Sequence, residues 1–138
     1  MRILIDTNVL IDYLAERQPF FPYAQQIIHA CETELLEGCI SAQSIADIFY
    51  ILRRNINEKE RRKILLALCD IFAVVGLNQQ QIVAALKNDM FTDFEDCLQA
   101  SCAKAFHAVH IITRNVTDFE LSEIPAISPE SFCHQFLS

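Results

Sequence analysis

Short runs rich in branched apolar residues punctuate this chain. They are Arg2–Ile5, Cys39–Ile40, Ile71–Val75 and Val109–Thr113, with amphipathic, helix-patterned segments between them. Runs this short cannot be helices. Because they do not alternate with polar residues, they belong to strands buried on both faces. Strands separated by helix-length connections pair in parallel, since a parallel crossover needs a dozen or more residues. The predicted fold is therefore a three-layer α/β/α sandwich with a mostly parallel central sheet. A last edge strand is expected at Ala126–Ile127, with Pro129 opening a terminal helix. At 138 residues the chain is a single domain, 1–138, long enough to bury a core.

Capping and periodicity place the helices. Thr7 or Asn8 caps a helix starting at Val9, and Pro19 and Pro22 break the chain before a helix near Tyr23–Cys31. Ser41 or Ser44 opens a helix to about Arg54, with Ile45, Ile48, Phe49 and Leu52 on one stripe. Asn57 with Glu60 starts Glu58–Cys69 in the manner of a capping box. Asn78–Lys87 and Phe94–His107 complete the set, and Ile71–Val75 is read as a buried strand.

Composition removes several functions. The two glycines, Gly38 and Gly76, are too far apart for a phosphate-cradling loop, a dinucleotide fingerprint or a serine-hydrolase elbow. A net charge of −7 is globally the wrong sign for a nucleic-acid binder, unless positive charge is local or a metal neutralises the acids. Six cysteines lack metal-binding spacing and read as reduced, small, buried residues. Asp6 interrupts what would be a signal peptide's apolar core, and the longest apolar stretch, Ile71–Leu77, is far short of the ~20 residues of a membrane span. A cytoplasmic location with no membrane partner is expected.

Open parallel sheets place ligands beyond the carboxyl ends of their strands. Asp6-Thr7-Asn8 follows the first run, and Arg114-Asn115 with Asp118 follows a later one. Asp93 and Asp96 share a face at the start of the long helix, where Ala100 and Ala103 would let it lie close to the sheet. Any one of these acids is explained as a helix cap, and Asp47, off its helix's apolar stripe, reads as solvated. Capping does not explain several carboxylates at one sheet edge. They repel and raise one another's pKa unless a cation joins them. Hard, all-oxygen ligands favour Mg2+ or Mn2+, and the chemistry implied is metal-assisted phosphodiester hydrolysis.

Three segments stand out: Ile5-Asp6-Thr7-Asn8-Val9-Leu10-Ile11-Asp12, Asp93-Phe94-Glu95-Asp96-Cys97-Leu98-Gln99-Ala100 and Ile112-Thr113-Arg114-Asn115-Val116-Thr117-Asp118-Phe119. In this order and spacing they resemble the PIN domain family, the metal-dependent ribonuclease fold of VapC-type toxins. The resemblance implies catalytic roles for Asp6, Asp47, Asp96 and Asp118, with the metal held by Asp6, Asp96 and Asp118 and secondarily by Asp93. Asp47 stands where the family usually has glutamate, and its shorter side chain implies contact through a water. Asn115 occupies the place where many members carry the last acid. Thr7, Asn8, Thr113 and Asn115 are implied as supporting groups. The resemblance further implies a Mg2+- or Mn2+-dependent endoribonuclease, the toxin of a toxin–antitoxin pair, with RNA as substrate, an antitoxin protein as partner and a homodimeric state.

Six of the eleven basic residues fall between Arg53 and Lys63. They are either a local polyanion-binding patch or a solvated face paired with Glu58 and Glu60. Arg53, Arg54 and Arg114 are the candidates for contact with RNA or a partner. The alternative is a non-catalytic PIN-like binding module for RNA or protein, favoured by Asp47 in place of glutamate and Asn115 in place of an acid.

Overall fold

The computed structural model describes residues 1–138. In chain order the elements are β1 (Arg2–Ile5), α1 (Thr7–Leu14), α2 (Phe21–Glu32), β2 (Glu37–Ser41), α3 (Ala42–Ile51), α4 (Glu58–Ile71), β3 (Ala73–Val75), α5 (Gln79–Lys87), α6 (Phe94–Ala105), β4 (His110–Ile112), β5 (Ala126–Ile127) and α7 (Pro129–Phe132). Single 3-10 turns, Leu52–Arg54 and Val116–Phe119, follow α3 and β4, and a wider π turn, Cys133–Leu137, continues α7.

The five strands form one sheet in the order β3-β2-β1-β4-β5, every pairing parallel. In β1 the two-residue period sends Ile3 and Ile5 to one face and Leu4 to the other. Ile3 and Ile5 join Ile40 and Ile112 under α1, α2, α4 and α7 in the larger core. Leu4, opposite Cys39 and Ile111 in the ladder, packs with Cys102, Ala103 and Phe119. Each of these fully buried aliphatic side chains contributes roughly 1.5–3 kcal/mol by leaving water. Layers on both faces give the expected three-layer α/β/α sandwich.

Several boundaries differ from the sequence reading for identifiable reasons. Gly38 does not precede β2 but lies inside it, because a Cβ there would come within 2.7 Å of the Phe72 ring and 2.8 Å of Cys31 Sγ. Pro22 sits in the first turn of α2, where its missing N–H is no loss. Asp6, not Thr7 or Asn8, caps α1, and Ser41, with Ser44 NH on its hydroxyl, caps α3. Ile71–Val75 is not a buried strand: α4 runs through Ile71, and β3 is a short, exposed edge. His107 lies beyond α6 with φ 60°, in a Schellman turn made by His107 NH to Lys104 O and Ala108 NH to Ala103 O. All six cysteines are thiols, and five are buried; Cys69 is exposed. Burial pushes the Cys31 and Cys39 thiols up to about 12, which keeps them unreactive. No helix is long and apolar enough to cross a membrane.

After β1 the chain builds outward through β2 and β3, then returns to build β4 and β5 on the other side. The carboxyl ends of β1 and β4 therefore flank a topological switch point, where adjoining loops diverge and leave a crevice.

Candidate functional site

A cavity of about 530 Å3 opens at this switch point. Six carboxylates line it: Asp6, Asp47, Asp93, Glu95, Asp96 and Asp118. The single lining cation is Arg17. The four acids with implied catalytic roles come from the junction of β1 and α1, from α3, from α6 and from the turn after β4, so only the tertiary fold brings them together.

Asp6 is the most constrained. Its backbone NH continues the β1–β4 ladder by donating to Ile112 O at 2.9 Å, and its side chain is only 6% exposed. Oδ1 accepts from Thr7 NH at 2.8 Å and Gln99 Nε2 at 3.1 Å. Oδ2 accepts from Thr113 Oγ1 at 2.7 Å and Asn8 Nδ2 at 3.4 Å. Burial raises the Asp6 pKa, opposed by the bonds from Thr113, Thr7 and Gln99 and by the charge of Arg114. Neutral donors thus fix the carboxylate in one orientation without cancelling its charge.

Asp93 caps α6, accepting from Asp96 NH at 3.1 Å, and so places Asp96 in the first turn of the helix. The Asp96 carboxyl is pushed up to about 7, first by burial, then by Asp93, Asp6, Asp118 and Glu95 around it. Asp118 is exposed on the 3-10 turn after β4. Asp47 is half-buried on the cavity wall rather than solvated, because α3 leaves the carboxyl end of β2 with its polar face turned into the crevice.

Two features escaped the sequence reading. Gln99 is buried, and its Nε2 also lies 3.1 Å from Thr7 Oγ1 and 3.2 Å from Ser44 Oγ, linking β1, α3 and α6 at one point. It falls one turn after Asp96 on the sheet-facing side of α6, the one available signal. The second is Asp12, fully buried and paired bidentately with Arg114 through Nε at 2.6 Å and Nη2 at 3.2 Å. Arg114 also lies over the Phe20 ring at 4.1 Å. Its guanidinium therefore ties the loop after β4 to α1. Thr113 is buried and Asn115 exposed, with Asn115 NH on Thr113 Oγ1 at 3.0 Å.

Much of the basic segment is internally paired. Arg62 meets Glu58 at 2.9 Å, Lys63 meets Glu60 at 3.4 Å, and Arg61 donates to Phe49 O at 2.6 Å. Arg53 and Arg54 remain exposed.

The donor set is all oxygen and the crowding around Asp96 is electrostatic, so the chemistry of the cavity fits a hard divalent cation. As placed, no three acidic, histidine or cysteine side chains close on one point. That arrangement fits an ion held by one or two carboxylates and otherwise by water, as Mg2+ is.

A family model of the PIN domain matches residues 2–117. Ribonuclease VapC1 of Aquifex aeolicus (strain VF5) is 23% identical over 139 residues, covering 98% of this chain and 95% of that protein. VapBC-1 from nontypeable Haemophilus influenzae superimposes with a TM-score of 0.69 at 20% identity, covering 94% of this chain and 99% of that one. A toxin–antitoxin complex from Klebsiella pneumoniae superimposes with a TM-score of 0.67 at 24% identity, covering 92% and 97%.

Proposed function

The chain belongs to the PIN domain family, and from that premise we propose that it is a Mg2+- or Mn2+-dependent endoribonuclease, the toxin of a toxin–antitoxin pair. The observation that carries this reading is the gathering of Asp6, Asp96 and Asp118, from three distant segments, on one cavity at the switch point. The VapC1 relative and the toxin–antitoxin neighbours support the nuclease activity and the antitoxin partner. A homodimer remains part of the proposal.

Asp6, Asp96 and Asp118 are the carboxylates that would hold the divalent ion, one or two of them directly and the others through its waters, with Asp93 secondary. Bound there, such an ion would lower the pKa of a water and neutralise charge developing on a phosphate. The chain's own groups do the rest. Thr113, Gln99 and Thr7 NH keep the Asp6 carboxylate aimed and ionised. Asn8, which donates to Asp6 Oδ2, and Asn115 orient the acids or a water, and Asp47 acts through a bridging water. Hydrolysis adds one water across a P–O bond, leaving a 5′-phosphate and a 3′-hydroxyl.

In this reading Asp6→Asn and Asp96→Asn each abolish RNA cleavage in Mn2+ while circular dichroism stays native. Cleavage that persists in both, or none in the parent protein across structured and unstructured RNAs, removes the enzyme claim.

The separation of the acids favours a second reading, a non-catalytic module that binds RNA or protein. Calorimetry with Mn2+ distinguishes it: that module takes up no ion near neutral pH yet retains its macromolecular partner.

A further inference from the structure

Above its acidic floor the cavity has one aromatic ring on its wall. Tyr50, in the last turn of α3, is 62% exposed and lines the opening. The Arg53 guanidinium lies over that ring at 3.7 Å from its centre and donates through Nη1 to Tyr50 O at 2.9 Å. The neighbouring residue carries the same device turned inward. Arg61 covers Phe49 at 4.2 Å and donates to Phe49 O, which ties α4 to the end of α3. The outer pair joins no two elements. It holds a flat, cationic-aromatic surface in water at the mouth of the acidic cavity.

We propose that the Tyr50–Arg53 stack is a seat for an unpaired base of the RNA strand, flanking the phosphate that enters among Asp6, Asp96 and Asp118. The proposal rests on the ribonuclease reading. Six carboxylates repel a phosphate backbone, so the grip on the strand must come from the rim. Stacking supplies it without needing positive charge on the floor, and the guanidinium plane adds attraction for both a base face and its phosphate. A duplex hides its base faces, so the seat takes single strands and loops. A basic protein segment would be drawn to the acidic floor instead of the Tyr50–Arg53 stack, so an oligolysine peptide separates the two occupants.

The chain has no tryptophan, so Tyr50→Trp installs a unique fluorophore at the seat. Full-length protein carrying Tyr50→Trp and Asp96→Asn, which stops cutting, is titrated with an eight-nucleotide single-stranded RNA, an abasic oligomer of equal length, and an oligolysine peptide. Saturable quenching by the base-bearing RNA alone is expected. In anisotropy with labelled RNA, Tyr50→Ala weakens binding about 5- to 150-fold, and Tyr50→Phe restores most of it. Equal affinity of Tyr50→Ala and parent, equal quenching by the abasic strand, or quenching by oligolysine and not by RNA overturns the seat. If the parent cleaves RNA and Tyr50→Ala does so with unchanged KM, the seat alone falls. If the parent neither binds nor cleaves RNA, the ribonuclease reading falls and takes the seat with it.

Discussion

Asp12 has no exposed surface, and both its oxygens go to Arg114. A buried carboxylate is tolerated only because a planar guanidinium meets it with two parallel bonds. The pair fixes Arg114 in a loop whose neighbours, Thr113 and Asn115, adjoin the cavity, so one ion pair bears on the placement of Asp6. Asp12→Ala leaves the guanidinium without its partner. Breaking such pairs costs roughly 3–5 kcal/mol, and the loss here falls toward the lower end, because 28% of the Arg114 side chain still reaches solvent. Urea unfolding checks this, with Arg114→Lys as a companion: a single ammonium cannot make both bonds, so it too is less stable than the parent. A change within experimental scatter for Asp12→Ala would mean the loop is held by other contacts.

At the scale of the element, β2 shows how a sheet admits a close neighbour. Gly38 carries no side chain, and the space is taken by Phe72, which ends α4 and is 3% exposed, and by Cys31 of α2. Gly38→Ala forces a ring and a sulfur out of a packed interior. Overpacking of this kind costs about 1–3 kcal/mol, and the expected result is a lower unfolding midpoint with an unchanged denaturant slope. Cys31→Ala in the same chain should recover part of the loss by opening the space the new methyl needs; no recovery would locate the strain at Phe72 instead. The helices end differently. Glu16 and His107 close α1 and α6 with positive φ in Schellman turns where glycine is the commoner choice. The chain's shortage of glycine thus does not prevent sharp helix ends.

For the whole molecule, the acidic cavity is a destabilising feature that the rest of the fold carries. Asp96 ionises near 7 when folded but at an ordinary carboxylate value, 3.8, when unfolded. Between those values the native chain retains a proton that the unfolded chain has lost. Stability of the ion-free protein therefore falls as pH rises from about 4 to about 7, and this group adds no slope outside that window. Asp6, also raised, acts in the same direction. Urea midpoints at pH 5 and pH 7.5 should show the decline, and Asp96→Asn should remove most of it. Mn2+, binding only the native state, should restore stability at the higher pH. The same slope in Asp96→Asn as in the parent would show that the crowding lies elsewhere.

The sequence alone determined the layers, the parallel sheet and the segments that supply the acids. Unbroken apolar runs locate the strands, although that of Ile71–Val75 is part helix and part exposed edge, and Asp6, Asp93, Asp96 and Asp118 sit beside strand ends and helix starts that local rules can locate. It also determined the last strand, Ala126–Ile127, and the proline that opens α7. Only the tertiary structure decided what those residues touch. Periodicity treats Asp47 as solvated because it measures a residue against its own helix, whereas the cavity is defined by three other elements. Gln99 and Asp12 look like an ordinary helix polar residue and a surface acid until partners 93 and 102 residues away bury them. Local pattern records the preferences of a segment. The pairing of buried polar groups depends on distances between segments, and folding alone sets those.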